Sequence, residues 1–131
     1  MSWEVENMLD SLKLYLEQEG ISGIYLDLMP PVENGVDAVN LSEWDNVISS
    51  DGNDGTSTHY VQIQVRRTSY NLAKQDCKKI LILLDSGMEE ELIWLTDDIC
   101  CIARPRRGAT ILERGEGYTT FYCELAIWGE N

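Results

Sequence analysis

The sequence predicts an α+β fold: one mixed, mostly antiparallel sheet with two helices packed on one face. In two segments the apolar residues recur three and four positions apart, which is the spacing of a helix with one buried face. Between and after these segments lie runs with alternating or continuous apolar residues, which are typical of strands. The chain has 131 residues, of which 44% are hydrophobic. We therefore expect residues 1–131 to form a single domain with its own core.

The first third of the chain predicts a helix and two strands. Ser2 is a suitable cap for a helix that begins at Trp3 and ends at Gly20. The apolar stripe of this helix consists of Val5, Met8, Leu9, Leu12 and Leu16. Residues 24–29 read as a strand that ends at a pair of prolines, and residues 38–44 as a second strand.

The middle of the chain contains a long polar segment and the clearest strand. Residues 45–58 are rich in Gly, Asp, Ser and Asn, and they predict a loop near the upper length limit for a compact domain. In residues 60–67 apolar and polar side chains alternate, which predicts a strand with one buried and one wet face. Thr68 or Ser69 then caps a helix over residues 70–84.

The last third of the chain predicts strands. Residues 92–95 form a short apolar segment, and residues 99–104 a strand that Pro105 interrupts. Residues 109–113 and 118–128 are two more extended segments, joined by a turn at Gly115-Glu-Gly117. The final segment is long and rich in aromatic and β-branched residues, so we expect it to lie centrally in the sheet.

The charge is large and unevenly distributed. The chain has 10 basic and 23 acidic residues, for a net charge of −13. Residues 1–65 contain Lys13 as their one basic residue and twelve acidic residues, whereas nine basic residues lie in residues 66–131. Such a protein repels nucleic-acid phosphates and anionic lipid, so we expect no specific binding of either. An uneven charge distribution of this kind favours docking between oppositely charged faces.

The sequence offers little for catalysis or for a cofactor. His59 is the single histidine, lies in a polar stretch before a strand and has no recognisable nucleophile partner, so we expect a surface-loop histidine. Cys77, Cys100, Cys101 and Cys123 lack the spacing of a zinc site and have apolar neighbours, which predicts small buried residues. We expect no catalytic residue, no metal and no cofactor.

Candidate interface residues are basic and acidic side chains on the strands and loops. On the clear strand, Gln62 and Gln64 are predicted to share the open side with Arg66 and Arg67, either as an interface or as a wet face. The segment Arg104-Pro-Arg106-Arg107 is basic and could bind a neighbouring subunit's acidic half, although a solvated turn fits it equally well. In the polar loop, Asp51 and Asp54 are the acidic candidates.

Four segments together resemble a known family. They are an N-terminal amphipathic helix leading into Gly23-Ile-Tyr-Leu-Asp-Leu-Met-Pro-Pro31, then Tyr60-Val-Gln-Ile-Gln-Val-Arg-Arg-Thr-Ser-Tyr70 running into a helix and Asp85-Ser-Gly87, and finally Arg114-Gly-Glu-Gly-Tyr-Thr-Thr-Phe-Tyr-Cys-Glu-Leu-Ala-Ile-Trp128. In this combination the chain resembles the minor capsid proteins of tailed bacteriophages, which look like tail terminator proteins. Residues 45–58 and the adjacent Cys100 and Cys101 depart from the family pattern.

The resemblance implies a structural virion protein without enzymatic activity. Its subunits would form a six-fold ring at the head-proximal end of the tail tube, stop polymerisation of the tube and join the tail to the head connector. The implied partners are further copies of the chain, the tail tube protein and the head-tail connector protein. DNA could pass through an acidic ring without binding to it. The implied location is the tail or head-tail junction of the virion, assembled in the bacterial host cytoplasm. The start of the sequence lacks signal-peptide features, and no apolar run is long enough to span a membrane, in agreement with this expectation.

Two other functional classes remain open on sequence alone. An acidic inhibitor that mimics DNA and occupies a basic cleft would also carry a large negative charge. Such a mimic needs ordered rows of acidic residues, whereas basic residues are concentrated in the second half of this chain. A small enzyme or ligand-binding domain has the least support, because no catalytic or phosphate-binding motif is present in the sequence.

Overall fold

A computed structural model of the chain describes residues 5–44 and 57–130. In this part the chain forms two α-helices, six strands and one short 3₁₀-helix at Val32–Asn34. The elements are, in order, α1 (Val5–Gln18), β1 (Ile24–Leu26), β2 (Ala38–Trp44), β3 (Ser57–Arg67), α2 (Tyr70–Leu83), β4 (Ile93–Trp94), β5 (Cys100–Gly115) and β6 (Tyr118–Glu130).

The six strands form one sheet in the order β1-β2-β3-β6-β5-β4. Strands β1 and β2 are parallel, and all other neighbouring strands are antiparallel. Strand β6 lies between β3 and β5, so the prediction that the last strand is central is confirmed. The predicted α+β class, with a mixed and mostly antiparallel sheet, is confirmed as well.

Both helices contribute to a hydrophobic core on one face of the sheet. From β3, Val61, Ile63 and Val65 point into this core, as the alternation in the sequence predicts. Helix α2 buries Ala73, Cys77 and Ile80 against the sheet. Helix α1 buries Met8, Leu9, Leu12 and Leu16 in the same cluster. The hydroxyl of Tyr15 in α1 also donates a hydrogen bond to the carbonyl of Leu83 in α2, with an O···O distance of 3.4 Å.

The ends of the helices follow local chemistry. Ser69 is the cap of α2, because its hydroxyl oxygen accepts a hydrogen bond from the backbone N–H of Leu72 at 3.2 Å. Of the two predicted caps, Thr68 and Ser69, the structure therefore selects Ser69. After α1, Gly20 has a φ of +96°, a left-handed conformation that glycine adopts without strain, and the chain turns there as predicted. The predicted helix start at Trp3 lies outside the described residues.

The bounds of three predicted strands differ from the structure. Strand β1 ends at Leu26 rather than continuing to residue 29, since Asp27 has a φ of +71° that no strand residue adopts. Strand β5 runs through Pro105 from Cys100 to Gly115, so the two segments predicted at 99–104 and 109–113 are one strand. Of the predicted loop at 45–58, residues 57 and 58 belong to β3 and residues 45–56 lie outside the described part.

Candidate interaction surface

Arg66 is buried and bonded within its own chain. Its Nε donates to the carbonyl of Val36 at 2.7 Å, and its Nη2 donates to the carbonyl of Gly35 at 3.1 Å. The guanidinium carbon lies 6.0 Å from the centre of the Tyr118 ring. With 5% of its surface exposed, Arg66 holds the turn before β2 against β3 and offers little to a partner.

Arg67 is also buried, and it lies on the side of the sheet that faces α2. Its Nε donates to Oδ2 of Asp76 in α2 at 2.8 Å, and its Nη2 donates to the carbonyl of Ser22 at 3.2 Å. The prediction that Arg67 shares the open face with Gln62 and Gln64 is wrong, because alternation along the strand turns it the same way as Val65. Arg67 joins the sheet, α2 and the loop before β1.

The three remaining candidate arginines are exposed and lie on β5. Arg104 is 3.5 Å from Glu90, and Arg107 is 3.5 Å from Glu124. The guanidinium carbon of Arg106 lies 4.8 Å from the centre of the Tyr60 ring. Residues 104–112 contain these three arginines and no acidic residue. Asp51 and Asp54, the acidic candidates of the polar loop, lie outside the described residues.

The outer edge of β5 is closed at its beginning and open further along. Strand β4 pairs with Cys100 and Cys101, and Ser86 accepts a hydrogen bond from the N–H of Ala103 and donates its own N–H to the same residue's carbonyl. Pro105 lies two residues after Ala103, so its backbone nitrogen points to the same outer edge as the N–H of Ala103. The proline nitrogen carries no hydrogen and therefore donates no hydrogen bond there. This explains why a proline is tolerated inside β5. From residue 106 to 115, no other strand of the described part pairs with this edge.

The pairing between β5 and β6 is irregular along the open part. Register shifts occur between Pro105 and Arg107, between Arg107 and Thr110, and between Ile111 and Glu113. Such bulges twist an edge strand and make it a poor template for continuous strand addition. A second molecule would therefore contact this edge through its side chains. Ile111 and Leu112 are 42% and 50% exposed here, and we call Arg104, Arg106, Arg107, Ile111 and Leu112 the basic edge.

The opposite end of the sheet has the opposite charge. Residues 25–37 comprise most of β1 and its connection to β2, and they contain three acidic residues and no basic residue. All three acidic side chains are exposed. Tyr25 and Leu28 are large apolar side chains with 45% and 80% of their surface exposed. We call Tyr25, Asp27, Leu28, Glu33 and Asp37 the acidic end.

Sequence reasoning identified the arginines of the basic edge but missed the exposed apolar residues at both ends. The available signal was the pair Ile111-Leu112, since adjacent residues of a strand point to opposite faces and at least one must leave the core. Tyr25 could have been found in the same way, because it lies between Ile24 and Leu26, which face the helices.

His59 does not lie in a surface loop, as the sequence predicted. It belongs to β3 and is 7% exposed, and its Nδ1 contacts Oε1 of Glu43 in β2. Glu43 precedes His59 by sixteen positions, so nothing local in the sequence pointed to this pair. The pair connects the last residues of β2 to the first residues of β3.

The four cysteines are free and buried, as predicted. Burial, together with the neighbouring Cys100, raises the pKa of the Cys101 thiol to about 12. A hydrogen bond with Cys77 and burial in the core raise the pKa of Cys123 as well. The raised pKa values keep the thiols of Cys101 and Cys123 protonated at neutral pH, and a protonated thiol is a poor nucleophile and a poor metal ligand.

Two shallow cavities lie beside β5 and β4. One, of about 340 Å³, is lined by Asp85, Gly87, Met88, Arg104 and Pro105. The other, of about 290 Å³, is lined by Leu14, Gln18, Trp94, Leu95, Thr96 and Asp97. Within residues 5–44 and 57–130, no three His, Cys, Asp or Glu side chains are grouped closely enough to hold a metal ion.

Comparisons with known proteins assign no family to this chain. No family model matches the chain, and no curated protein matches its sequence. Neither described helix has the length and apolar character that a membrane span requires.

Proposed function

We propose that this chain is a structural subunit of a tailed bacteriophage virion, of the tail terminator kind. In this role several copies form a ring at the head-proximal end of the tail tube. The ring stops addition of further tube subunits and presents a surface to the head-tail connector. The proposal starts from the resemblance of residues 23–31, 60–70 and 114–128 to that family.

Opposite charge at the two ends of one sheet is the observation that supports this proposal most. The acidic end lies at β1 and the basic edge at β5, and β2, β3 and β6 separate them. A subunit with two different and complementary surfaces associates head to tail, and head-to-tail association closes into a ring when the rotation between subunits allows it. Two identical surfaces would instead give a closed dimer.

The large negative charge is compatible with a ring through which DNA passes. At a net charge of −13, a subunit attracts phosphate groups only where basic side chains cluster. The clustered arginines of β5 have neighbouring acidic or aromatic groups, namely Glu90, Glu124 and Tyr60.

Deletion of the reading frame tests the proposal in the phage or prophage that encodes this chain. We expect full heads and separate tails of irregular length, because nothing then ends the tube or joins it to the head. A copy of the gene supplied in trans should restore joined particles and uniform tail length. Infectious particles with wild-type tails in the deletion strain would contradict the proposal.

A further inference from the structure

We infer that the basic edge of one copy of this chain binds the acidic end of a second copy. The inference rests on the proposed function, because it names the two surfaces through which the subunits of the ring would meet. Each surface combines three charges of one sign with two exposed apolar side chains. Because the charges are opposite and each surface also exposes apolar side chains, the two surfaces can pair charges and bury apolar area.

The position of the contact on β5 follows from what already covers its edge. Before residue 106, the outer edge of β5 offers no regular row of backbone hydrogen-bond donors and acceptors to a partner strand. Strand β4 and Ser86 already occupy this edge, and Pro105 has no N–H. The bulges that follow disrupt a regular ladder up to Glu113. A partner therefore docks on the side chains of residues 104–112, and the arginines determine which surface is accepted.

Arg104 and Arg106 of the basic edge are available to a partner, because their own chain holds them weakly. Arg104 and Arg107 are about half exposed, and each reaches one carboxylate at 3.5 Å. The pair of Arg104 and Glu90 is exposed on both sides and contributes about 0–1 kcal/mol, so a carboxylate of another copy can replace Glu90 at little cost. Glu124 is only 17% exposed, so Arg107 is held more firmly. Arg106 has its aromatic contact on one side and keeps its N–H groups for an incoming acceptor.

The alternative in which two basic edges meet each other is disfavoured by charge. It would bring six arginines into one interface, where the carboxylates nearest to them, Glu90 and Glu124 of each copy, already pair with Arg104 and Arg107. Like charges in an interface cost free energy, whereas the acidic end supplies Asp27, Glu33 and Asp37. The two-surface arrangement is therefore the one that the charges favour.

Two charge-reversed variants test this pairing in solution. The first carries Arg106→Glu and Arg107→Glu, and the second carries Glu33→Lys and Asp37→Lys. Each variant alone presents like charges to itself, so we expect self-association at least about tenfold weaker than that of the wild type. An equimolar mixture of the two has complementary surfaces again in alternating order and should regain association, as should one chain with all four substitutions.

The controls separate pairing from net charge and from misfolding. Lys78→Glu with Lys79→Glu makes the same charge change as the first variant, but on exposed positions of α2, and it should associate like the wild type. If Arg107→Glu unfolds the chain through repulsion from Glu124, Arg104→Glu with Arg106→Glu replaces it. Circular dichroism establishes that each variant is folded before its mass is measured by light scattering.

Three results overturn the inference: a wild type that stays monomeric at millimolar concentration, a reversed variant that associates normally, and a mixture that does not recover. None of these results bears on the deletion experiment, which measures tail length and head joining in the phage. Failure of the pairing and failure of the proposed function are therefore distinguishable.

Discussion

Arg67 of β3 donates its Nε–H to Oδ2 of Asp76 in α2 at 2.8 Å, across the joint between the sheet and the helix. The arginine side chain is 7% exposed and the aspartate side chain 33%. The same guanidinium also donates to the carbonyl of Ser22, so one side chain connects three parts of the chain. This pair holds α2 against the core face of the sheet.

Replacing Arg67 with methionine tests this joint. The change leaves Asp76 without its cation and the Ser22 carbonyl without its donor, and we expect a loss of about 2–4 kcal/mol in the free energy of unfolding. Urea denaturation of both proteins measures the difference. Arg104→Met is the matched control, because Arg104 is exposed and should cost less than about 0.5 kcal/mol. Equal losses in the two variants would show that Arg67 has no special structural role.

Ser69→Ala tests the start of α2. The variant loses the acceptor for the N–H of Leu72, and N-cap substitutions of this type cost about 1 kcal/mol. Thr68→Ala removes a neighbouring exposed hydroxyl that makes no cap, so its stability should stay near that of the wild type. If thermal unfolding shows the larger loss for Thr68→Ala, the assignment of the cap is wrong.

The pH dependence of stability tests the burial of Cys101. Its pKa is about 12 in the folded chain, well above the ~8.5 of an exposed thiol. A raised folded pKa gives stability that is complete below the unfolded pKa and is lost as the pH rises toward the folded one. Between pH 9 and 12 the wild type should therefore lose about 1.4 kcal/mol per pH unit more than Cys101→Ala does. Urea denaturation under reducing conditions gives both curves, and parallel curves would contradict the assignment.

Salt should weaken self-association if the basic edge binds the acidic end. The charges on both surfaces are exposed, and the screening length falls from roughly 10 Å at 0.1 M salt to roughly 3 Å at 1 M. We expect the apparent dissociation constant, measured by sedimentation, to rise steadily over this range. The Lys78→Glu, Lys79→Glu variant should show the same salt dependence as the wild type. An association that strengthens with salt would indicate an apolar contact instead.

Local patterns in the sequence predicted those elements whose chemistry is contained in a few neighbouring residues. Strand β3 follows from strict alternation over residues 60–67, and α2 follows from its cap and its apolar stripe. The continuity of β5 could not be predicted, because a proline inside a strand needs an open edge or a bulge, and both are defined by the tertiary fold.

The candidate site was predictable in part for the same reason. The arginines at 104, 106 and 107 are exposed, as a basic run on an edge should be. Arg66 and Arg67 are also adjacent basic residues, but they are buried. Arg66 donates to the carbonyl of Gly35 and Arg67 to that of Ser22, and each carbonyl is more than thirty positions away in the chain. Contacts at that separation arise only from the fold, so composition could not distinguish buried from exposed arginines.

The central claim is that the two ends of the sheet bind each other and so join copies of the chain. Light scattering over a concentration series, with negative-stain images of the heaviest species, tests it most directly. We expect the mass to rise from the 14.9 kDa of one chain to that of a closed ring, about 89 kDa for six copies. A mass that remains 14.9 kDa at every concentration would contradict the claim.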